Sequence, residues 1–188
     1  MELKQAIHAR HAVRSYRRQK VDERDLRALL EAAVRAPNAK NEQPWSFVIV
    51  QNRSMLERYS EQAKKRLLAA ADECDASARA LLRGSFDPLH GACTLIVICG
   101  RKGDEFAEAD CWLAAENLML TACDLGLGTC PVGSLLPVLN SWTVKAELDI
   151  PEAVAAIAPV VVGYPDGPTV SPTPLGSQDL ELLALNGA

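Results

Sequence analysis

The sequence predicts an α/β (α+β) domain in which helices flank a small central sheet, and three observations carry that prediction. Residues 94–99 and 158–164 are apolar runs without polar alternation, which is typical of strands buried on both faces. Stretches with helical periodicity separate these runs along the chain. The 188 residues are 48% hydrophobic and 23% charged, the balance of an ordinary globular protein with a sizeable core.

The first part of the chain predicts a helix followed by a strand. Residues 21–35 are amphipathic, with Asp22 as the predicted N-cap, and Pro37 ends the helix. Residues 45–50 are rich in β-branched and aromatic side chains, which favours a strand. Two further predictions are one or two helices over residues 53–83 and a loop over residues 84–91.

Residues 105–125 predict a long helix that ends near Gly126. Between positions 111 and 123 its clearly polar residues are Glu116, Asn117 and Thr121, so the helix is apolar nearly all round. Such a helix must be covered nearly all round, and in a chain of this size a second copy is a natural cover. Two predictions complete the chain: a helix over residues 134–148 and a tail without regular structure over residues 165–176.

Charge, hydropathy and cysteine content exclude several classes of function. Lys plus Arg total 20 against 24 for Asp plus Glu, a net charge of −4 that gives no electrostatic drive toward nucleic acid. The apolar stretches fall far short of the ~20 residues that cross a membrane, and residues 1–5 lack the apolar core of a secretion signal. Six cysteines without C-x-x-C spacing and three histidines form no zinc motif. We therefore expect a cytoplasmic protein with reduced thiols and no metal.

Basic residues concentrate at the start of the chain. The first twenty residues contain six Lys or Arg against one acid, Glu2, whereas no Lys, Arg or His follows Lys145. A bound anion would therefore meet mainly N-terminal residues. The alternative is a basic face that only contacts solvent.

Three motifs carry more specific information. They read RHAVRSY at residues 10–16, APNAKNEQPW at residues 36–45 and GLGTCPVG at residues 126–133. In this order they resemble the nitroreductase family of FMN-dependent oxidoreductases. The Pro-x-x-x-Asn-x-Gln-Pro-Trp spacing is the specific part, because it fixes several uncommon residue types at once. The resemblance is close over residues 6–50, fair over residues 91–164 and poor over residues 53–90.

The resemblance implies a fold and an assembly. It implies a central mixed sheet flanked by helices, in an interlocked homodimer with two FMN sites at the subunit interface. Residues 1–165 would form the nitroreductase-like FMN-binding domain, and residues 166–188 a C-terminal arm. The apolar helix over residues 105–125 agrees with such a dimer.

The first motif is expected to meet the negatively charged parts of the flavin. By the resemblance, Arg10 holds the phosphate, Arg14 faces the pyrimidine edge and His11 lines the site through its backbone. The chemistry agrees, because a cation stabilises the charge that develops at that edge on reduction, and charge-assisted hydrogen bonds suit a phosphate. The alternative for both arginines is an ordinary surface charge.

The second motif is expected to meet the isoalloxazine ring of the neighbouring subunit's site. The residues implied are Pro37, Asn38, Ala39 and Asn41. Asn amides both donate and accept, which suits a ring edge that changes its hydrogen bonding on reduction, although a turn that satisfies its own backbone is the alternative. Gln43 is either a substrate contact or a group that holds the loop together. We expect Trp45 to pack in the core.

The third motif would supply backbone groups to the other side of the flavin. The residues implied are Pro131, Val132 and Gly133, with the N–H of Gly133 or Ser134 facing flavin N5. The alternative interpretation of this segment is an ordinary turn between helices. Cys130 has no second cysteine at close spacing, so a passive buried thiol is predicted.

The sequence departs from the family pattern in two places. Ala12 stands where a hydroxyl residue is usual, and no Lys or Arg follows Pro165, where members usually place one on the phosphate. Ser171 or Thr173 would have to serve as neutral donors instead. Weaker FMN binding is therefore expected.

The resemblance implies a reaction in two halves at one site. NADH or NADPH reduces FMN, and an electron-poor small molecule such as a nitroaromatic, quinone or enone then takes the electrons. Two alternatives stay open: a flavin-dependent oxidase or dehydrogenase of a small molecule, and a cofactor-free, non-catalytic dimer.

Overall fold

The computed structural model describes residues 1–70 and 86–168. In that part of the chain a four-stranded sheet is flanked by helices, which confirms the predicted α+β class. The strands are β1 (Ser46–Val50), β2 (Thr94–Arg101), β3 (Gly128–Pro131) and β4 (Val154–Gly163). The helices are α1 (Leu3–Ala9), α2 (Glu23–Ala33), α3 (Arg53–Ala70), α4 (Ala107–Asp124), α5 (Leu136–Leu139) and α6 (Trp142–Glu147), with short 3-10 helices at Ala39–Asn41 and Gly133–Leu135.

The sheet has the order β1-β2-β4-β3, and its three pairings are antiparallel. This corrects the expected mixed sheet for the described residues, where the parallel contact is an isolated bridge between Ala12 and Thr129. The apolar runs indicated burial on both faces, and burial alone does not fix strand direction. Helices on both sides of an antiparallel sheet give the same pattern.

Alternate side chains of β2 enter two separate cores. Leu95 and Val97 pack with α3, α5 and α6, whereas Ile96 and Ile98 pack with α2 and α4. All four side chains are fully buried. Trp45 packs against the second core, as predicted. The absence of polar alternation in β2 therefore has a direct cause, because both faces of the strand are interior.

The long helix α4 confirms the prediction over residues 105–125, including its end. Gly126 adopts a φ of 74°, and its N–H donates to the Cys123 carbonyl at 3.1 Å. The next N–H, of Leu127, donates to the Ala122 carbonyl at 2.8 Å. This pair of bonds is the Schellman arrangement, which requires a left-handed residue and so favours glycine.

Helix α4 is partly covered by its own chain. Helices α1 and α2 and strands β2, β3 and β4 pack against it within the same chain. Eight of its eighteen residues are buried, and Leu113 is 45% exposed. The small size of the Ala residues on this helix lets its own neighbours approach closely enough to cover it.

Two predictions in the C-terminal half are wrong. Residues 134–148 do not form one helix, because the chain breaks at Asn140, whose side chain binds the backbone of β4. Its amide donates to the Ala156 carbonyl and accepts the Ala156 N–H, both at 2.9 Å. Residues 128–131, predicted as part of a turn, form strand β3 on the edge of the sheet.

Some predictions lie outside the described residues. These are the helical region beyond residue 70, the start of the loop over residues 84–91, most of the arm over residues 166–188, and the donors Ser171 and Thr173. Within the described ranges, no helix combines the length and apolarity that a membrane span requires.

Candidate functional site

The first motif lies alongside the start of β3. Ala12 forms the parallel bridge to Thr129, and the Val13 N–H donates to the Thr129 carbonyl at 2.9 Å. The Tyr16 hydroxyl donates to the Val13 carbonyl at 2.8 Å and keeps the segment bent against the sheet. Arg10 and Arg14 are thereby placed beside the third motif.

The glycines of the third motif serve two different purposes. Gly126 provides the left-handed residue at the end of α4. A Cβ on Gly128 would lie 2.8 Å from the Cβ of Val13, a distance that real side chains do not tolerate. Gly128 therefore allows the first motif to approach β3.

Arg10 and His11 share a cavity of about 160 Å³ between the end of α1 and the end of α4. Cys123, Thr129 and Pro165 also line it. Arg10 Nε lies 3.2 Å from a carboxylate oxygen of Glu116 on α4. Because this pair is partly exposed, it contributes little to stability, but it fixes a cation at the wall of the cavity.

The His11 ring is oriented by one hydrogen bond. Its Nδ1 lies 2.7 Å from the Ala9 carbonyl oxygen, and since a carbonyl can only accept, Nδ1 carries the proton. The other nitrogen, Nε2, is buried and has no hydrogen-bond partner among the described residues. The side chain of His11 is thus part of the cavity wall, beyond the backbone role expected from the sequence.

Arg14 is exposed and lies close enough to Cys130 to influence its thiol. Burial raises the pKa of Cys130, and the charge of Arg14 acts in the opposite direction. The net result is a thiol that stays protonated at neutral pH. This agrees with the predicted passive role of Cys130.

The end of β3 presents a free backbone donor. The Val132 N–H donates to the Pro159 carbonyl at 2.8 Å, which fixes the turn after Pro131. Gly133 is exposed, and its N–H forms no hydrogen bond with the described residues. A Cβ added to Gly133 would meet nothing within 4 Å, so a side chain at this position would extend into open space.

The second motif forms a strained loop, and its side chains hydrogen-bond mainly to other residues of the same loop. The Asn38 side-chain oxygen accepts the Gln43 N–H at 2.9 Å, and the Gln43 amide donates to the Asn41 side chain at 3.3 Å. Lys40, Asn41 and Gln43 have φ values of 54°, 57° and 49°, a left-handed backbone that is costly for residues with a Cβ. Such strain concentrates at functional sites.

Asp110 anchors this loop, and the sequence did not reveal it. Asp110 lies in the first turn of α4, is 5% exposed and accepts the Ala39 N–H at 3.1 Å. A buried acid in the first helical turn is also stabilised by the helix dipole. The sequence gives little signal for this role, because Asp110 is one of two acids in the first turn of the helix, with Glu108.

The structure does not bring all the predicted residues together within one chain. Asp110, which holds the second motif, and Cys123, beside Arg10 and His11, are thirteen residues apart on α4, or about 20 Å at 1.5 Å per residue. Arg10 and His11 line the small cavity with residues 126–129, and Arg14 lies near Cys130 on the same strand, whereas residues 37–43 form a separate loop. One chain therefore holds the predicted site residues in separate places.

A larger cavity of about 620 Å³ lies elsewhere, between α3 and the turn before β2. Arg18, Gln51, Ser60 and Asp87 are among its lining residues, and none of the predicted site residues lines it. Its volume alone does not make it the functional site, because residues of the first and third motifs line the smaller cavity instead.

Comparisons with known proteins agree on one family. The sequence model described as "Nitroreductase family" matches residues 7–164. An NADH dehydrogenase of Thermus thermophilus is 30% identical over 185 residues, covering 88% of this chain and 87% of the relative. A 5,6-dimethylbenzimidazole synthase of Rhodospirillum rubrum is 31% identical, covering 83% and 78%. A nitroreductase from Bacteroides fragilis, crystallised with bound FMN, superposes with a TM-score of 0.82 at 28% identity, covering 98% of this chain and all of that one.

Proposed function

Because the chain belongs to the nitroreductase family of oxidoreductases, we propose that it binds FMN and transfers electrons from NADH or NADPH to an electron-poor small molecule. Nitroaromatics, quinones and enones are the acceptor classes. The observation that carries the proposal is the parallel pairing of Ala12 with Thr129. It sets Arg10 in the cavity at the start of β3 and Arg14 near Cys130, on the strand that leads to the free N–H of Gly133.

The residues of this edge fit a flavin mononucleotide. Bound FMN supplies the two-electron chemistry. Arg10 would hold the phosphate at the cavity, Arg14 would present its charge to the pyrimidine edge, and the Gly133 N–H would donate to the flavin N5. The protein thereby contributes cation placement and a directed donor, and no side chain has to act as a nucleophile.

A second copy of the chain completes the site. A cavity of about 160 Å³ is smaller than the ~300–1,000 Å³ of pockets that hold drug-sized ligands. The loop of residues 37–43, expected against the ring, is about 20 Å away along α4. Leu3 and Ile7, which are 67% and 54% exposed on α1, offer an apolar surface for a homodimer.

The relative named 5,6-dimethylbenzimidazole synthase keeps one alternative open. That name describes synthesis of a small molecule, so a flavin-dependent oxidase or dehydrogenase is the second candidate function. The two differ in their electron donor, because a reductase accepts electrons from a nicotinamide and the alternative takes them from its own substrate.

The test combines colour, reduction and mass. We expect a yellow protein that releases FMN on denaturation, that bleaches rapidly when mixed anaerobically with NADH or NADPH, and that sediments at twice the 20.3 kDa chain mass. Flavin without bleaching would favour the alternative function. A colourless monomer that takes up no added FMN would refute the proposal and the two-chain site.

A further inference from the structure

The unpartnered Nε2 of His11 marks a contact that the chain leaves open. Nδ1 donates to the Ala9 carbonyl, so the neutral ring presents Nε2 as a bare acceptor. Nε2 is buried without a partner among the described residues, although buried polar atoms are nearly always hydrogen-bonded. A ligand that brings a proton to this nitrogen would satisfy it.

The surroundings favour an anion as that ligand. Arg10 contributes a fixed positive charge to the same cavity. The sequence from residue 166 to 188 contains no Lys, Arg or His, so the tail offers no cation of its own. The adjoining elements carry further titratable groups. These are Glu2, Lys4 and His8 at α1, Glu116, Cys123 and Asp124 in the second half of α4, Arg14 and Cys130 on the neighbouring segments, and the N-terminal amine, which pairs with Asp124.

We propose that His11 binds the phosphate of the flavin through one shared proton, which makes affinity for the phosphorylated flavin depend on pH. The inference rests on the proposed function. The proton lies either on Nε2, which then donates to a phosphate oxygen, or on the phosphate, whose O–H then donates to Nε2. His11 is therefore a positioning residue for the cofactor, and it substitutes for the missing base of the tail.

The direction of the pH effect follows from the proton balance. A phosphate monoester loses its second proton near pH 6. Above this pH the phosphate arrives as a dianion, and the neutral His11 ring has no proton on Nε2, so the complex must take one up from solvent. Affinity then falls as pH rises, by at most about tenfold per pH unit. Riboflavin has no phosphate and gains nothing from this proton.

The experiment is a pair of titrations, FMN and riboflavin, into the full-length protein after its own flavin has been dialysed away, at pH 6, 7 and 8.5. In the parent we expect the ratio of riboflavin Kd to FMN Kd to fall at least tenfold from pH 6 to pH 8.5.

Three variants test the role of the ring. His11→Gln places an amide N–H where Nε2 lies, so the ratio should become independent of pH. His11→Asn keeps a donor for Ala9 but leaves Nε2 without a counterpart, so FMN affinity should fall at pH 6. His8→Gln removes a nearby imidazole and should behave as the parent.

The outcomes separate this inference from the proposed function. FMN binding whose preference over riboflavin does not change with pH would overturn the role of His11 and leave the flavoprotein proposal standing. An equal pH effect on both flavins would mean that Nε2 meets a ribityl hydroxyl, which also overturns it. Failure of the parent to bind either flavin at any pH would refute the proposed function together with this inference. Thermal melts of both His11 variants check that the fold is retained.

Discussion

The carboxylate of Asp110 and the backbone N–H of Ala39, 71 residues apart in sequence, are joined by a hydrogen bond of 3.1 Å. This bond ties the strained loop of the second motif to the first turn of α4. Loop residues with left-handed backbone would relax if they were free, so a buried anchor is required to hold them. Asp110 is that anchor.

Replacing Asp110 by Ala should destabilise the protein by about 1–3 kcal/mol, because the Ala39 N–H loses its acceptor in a partly buried position. Asp110→Asn retains an acceptor oxygen and should stay within about 1 kcal/mol of the parent. Urea denaturation of the three proteins measures the difference. Equal losses in both variants would show that the charge of Asp110 matters rather than its hydrogen bond.

Replacing Glu116 by Gln should tighten FMN binding by about threefold to tenfold and leave riboflavin binding unchanged. Glu116 competes with the phosphate for Arg10, and its own negative charge repels the phosphate. Arg10→Ala should have the opposite effect, again on FMN alone. Weaker FMN binding in Glu116→Gln would mean that Glu116 instead orients Arg10 for the phosphate.

Replacing Arg14 by Ala should lower the flavin midpoint potential by about 30–60 mV, because a cation at the pyrimidine edge favours the reduced form. Arg14→Lys keeps the charge and should retain most of the potential. The measurement is a redox titration of the bound flavin in each protein. An unchanged potential in Arg14→Ala would remove Arg14 from this edge.

Replacing Gly133 by Pro removes one N–H at the start of a short 3-10 helix, a position where proline is tolerated. We expect flavin reduction by NADH to slow by about five- to tenfold, since one directed hydrogen bond is lost. Gly133→Ala keeps the N–H and adds a methyl group into open space, so its rate should match the parent. Stopped-flow absorbance measures both; equal slowing would indicate a steric cause.

Acid should weaken a contact between α3 and α6. Glu147 pairs with Arg58 and accepts the Tyr59 hydroxyl at 2.9 Å, and hydrogen bonds from Arg58 and then Tyr59 lower the pKa of this carboxyl below its usual value. A carboxyl whose pKa is lower in the folded state stabilises the protein above its unfolded pKa, and this stabilisation is lost as pH falls through the folded pKa.

The variant Glu147→Gln should therefore melt a few degrees below the parent at pH 7. The gap should close as pH falls through the lowered pKa of Glu147, because the carboxyl of the parent is then protonated as well. Glu61→Gln, on the exposed side of α3, is the matched control and should melt with the parent. A gap that persists in acid would mean that Glu147 acts through packing.

Strands and helices with strong patterns could be predicted from the sequence, and elements fixed by distant contacts could not. The apolar run of β2 and the Gly126 stop of α4 are local signals, and both are confirmed. Strand β3 contains Gly128 and Pro131, which locally favour a turn, and it exists because β4 and residues 12–13 pair with it. The break at Asn140 depends on Ala156, which periodicity cannot reveal.

The site shows the same division. Arg10, Arg14 and the second motif could be proposed from the sequence because uncommon residue types stand at set spacing. Asp110 and the Nε2 of His11 could not, because one acid and one imidazole nitrogen acquire meaning only through burial and the direction of a hydrogen bond. Nor could the sequence show that the cavity of Arg10 and His11 and the loop of residues 37–43 lie about 20 Å apart along α4.

Because Asp110 and Glu116 bind different partners from the same helix, the number of residues between them matters as much as their identity. Each residue inserted into an α-helix advances the following turn by 1.5 Å and rotates it by about 100°. An insertion between Asp110 and Glu116 would leave one of the two facing away from its partner, Ala39 or Arg10. Insertions and deletions during divergence should therefore be absent from this helix and be tolerated at turns such as Gly103, where an added side chain meets nothing within 4 Å.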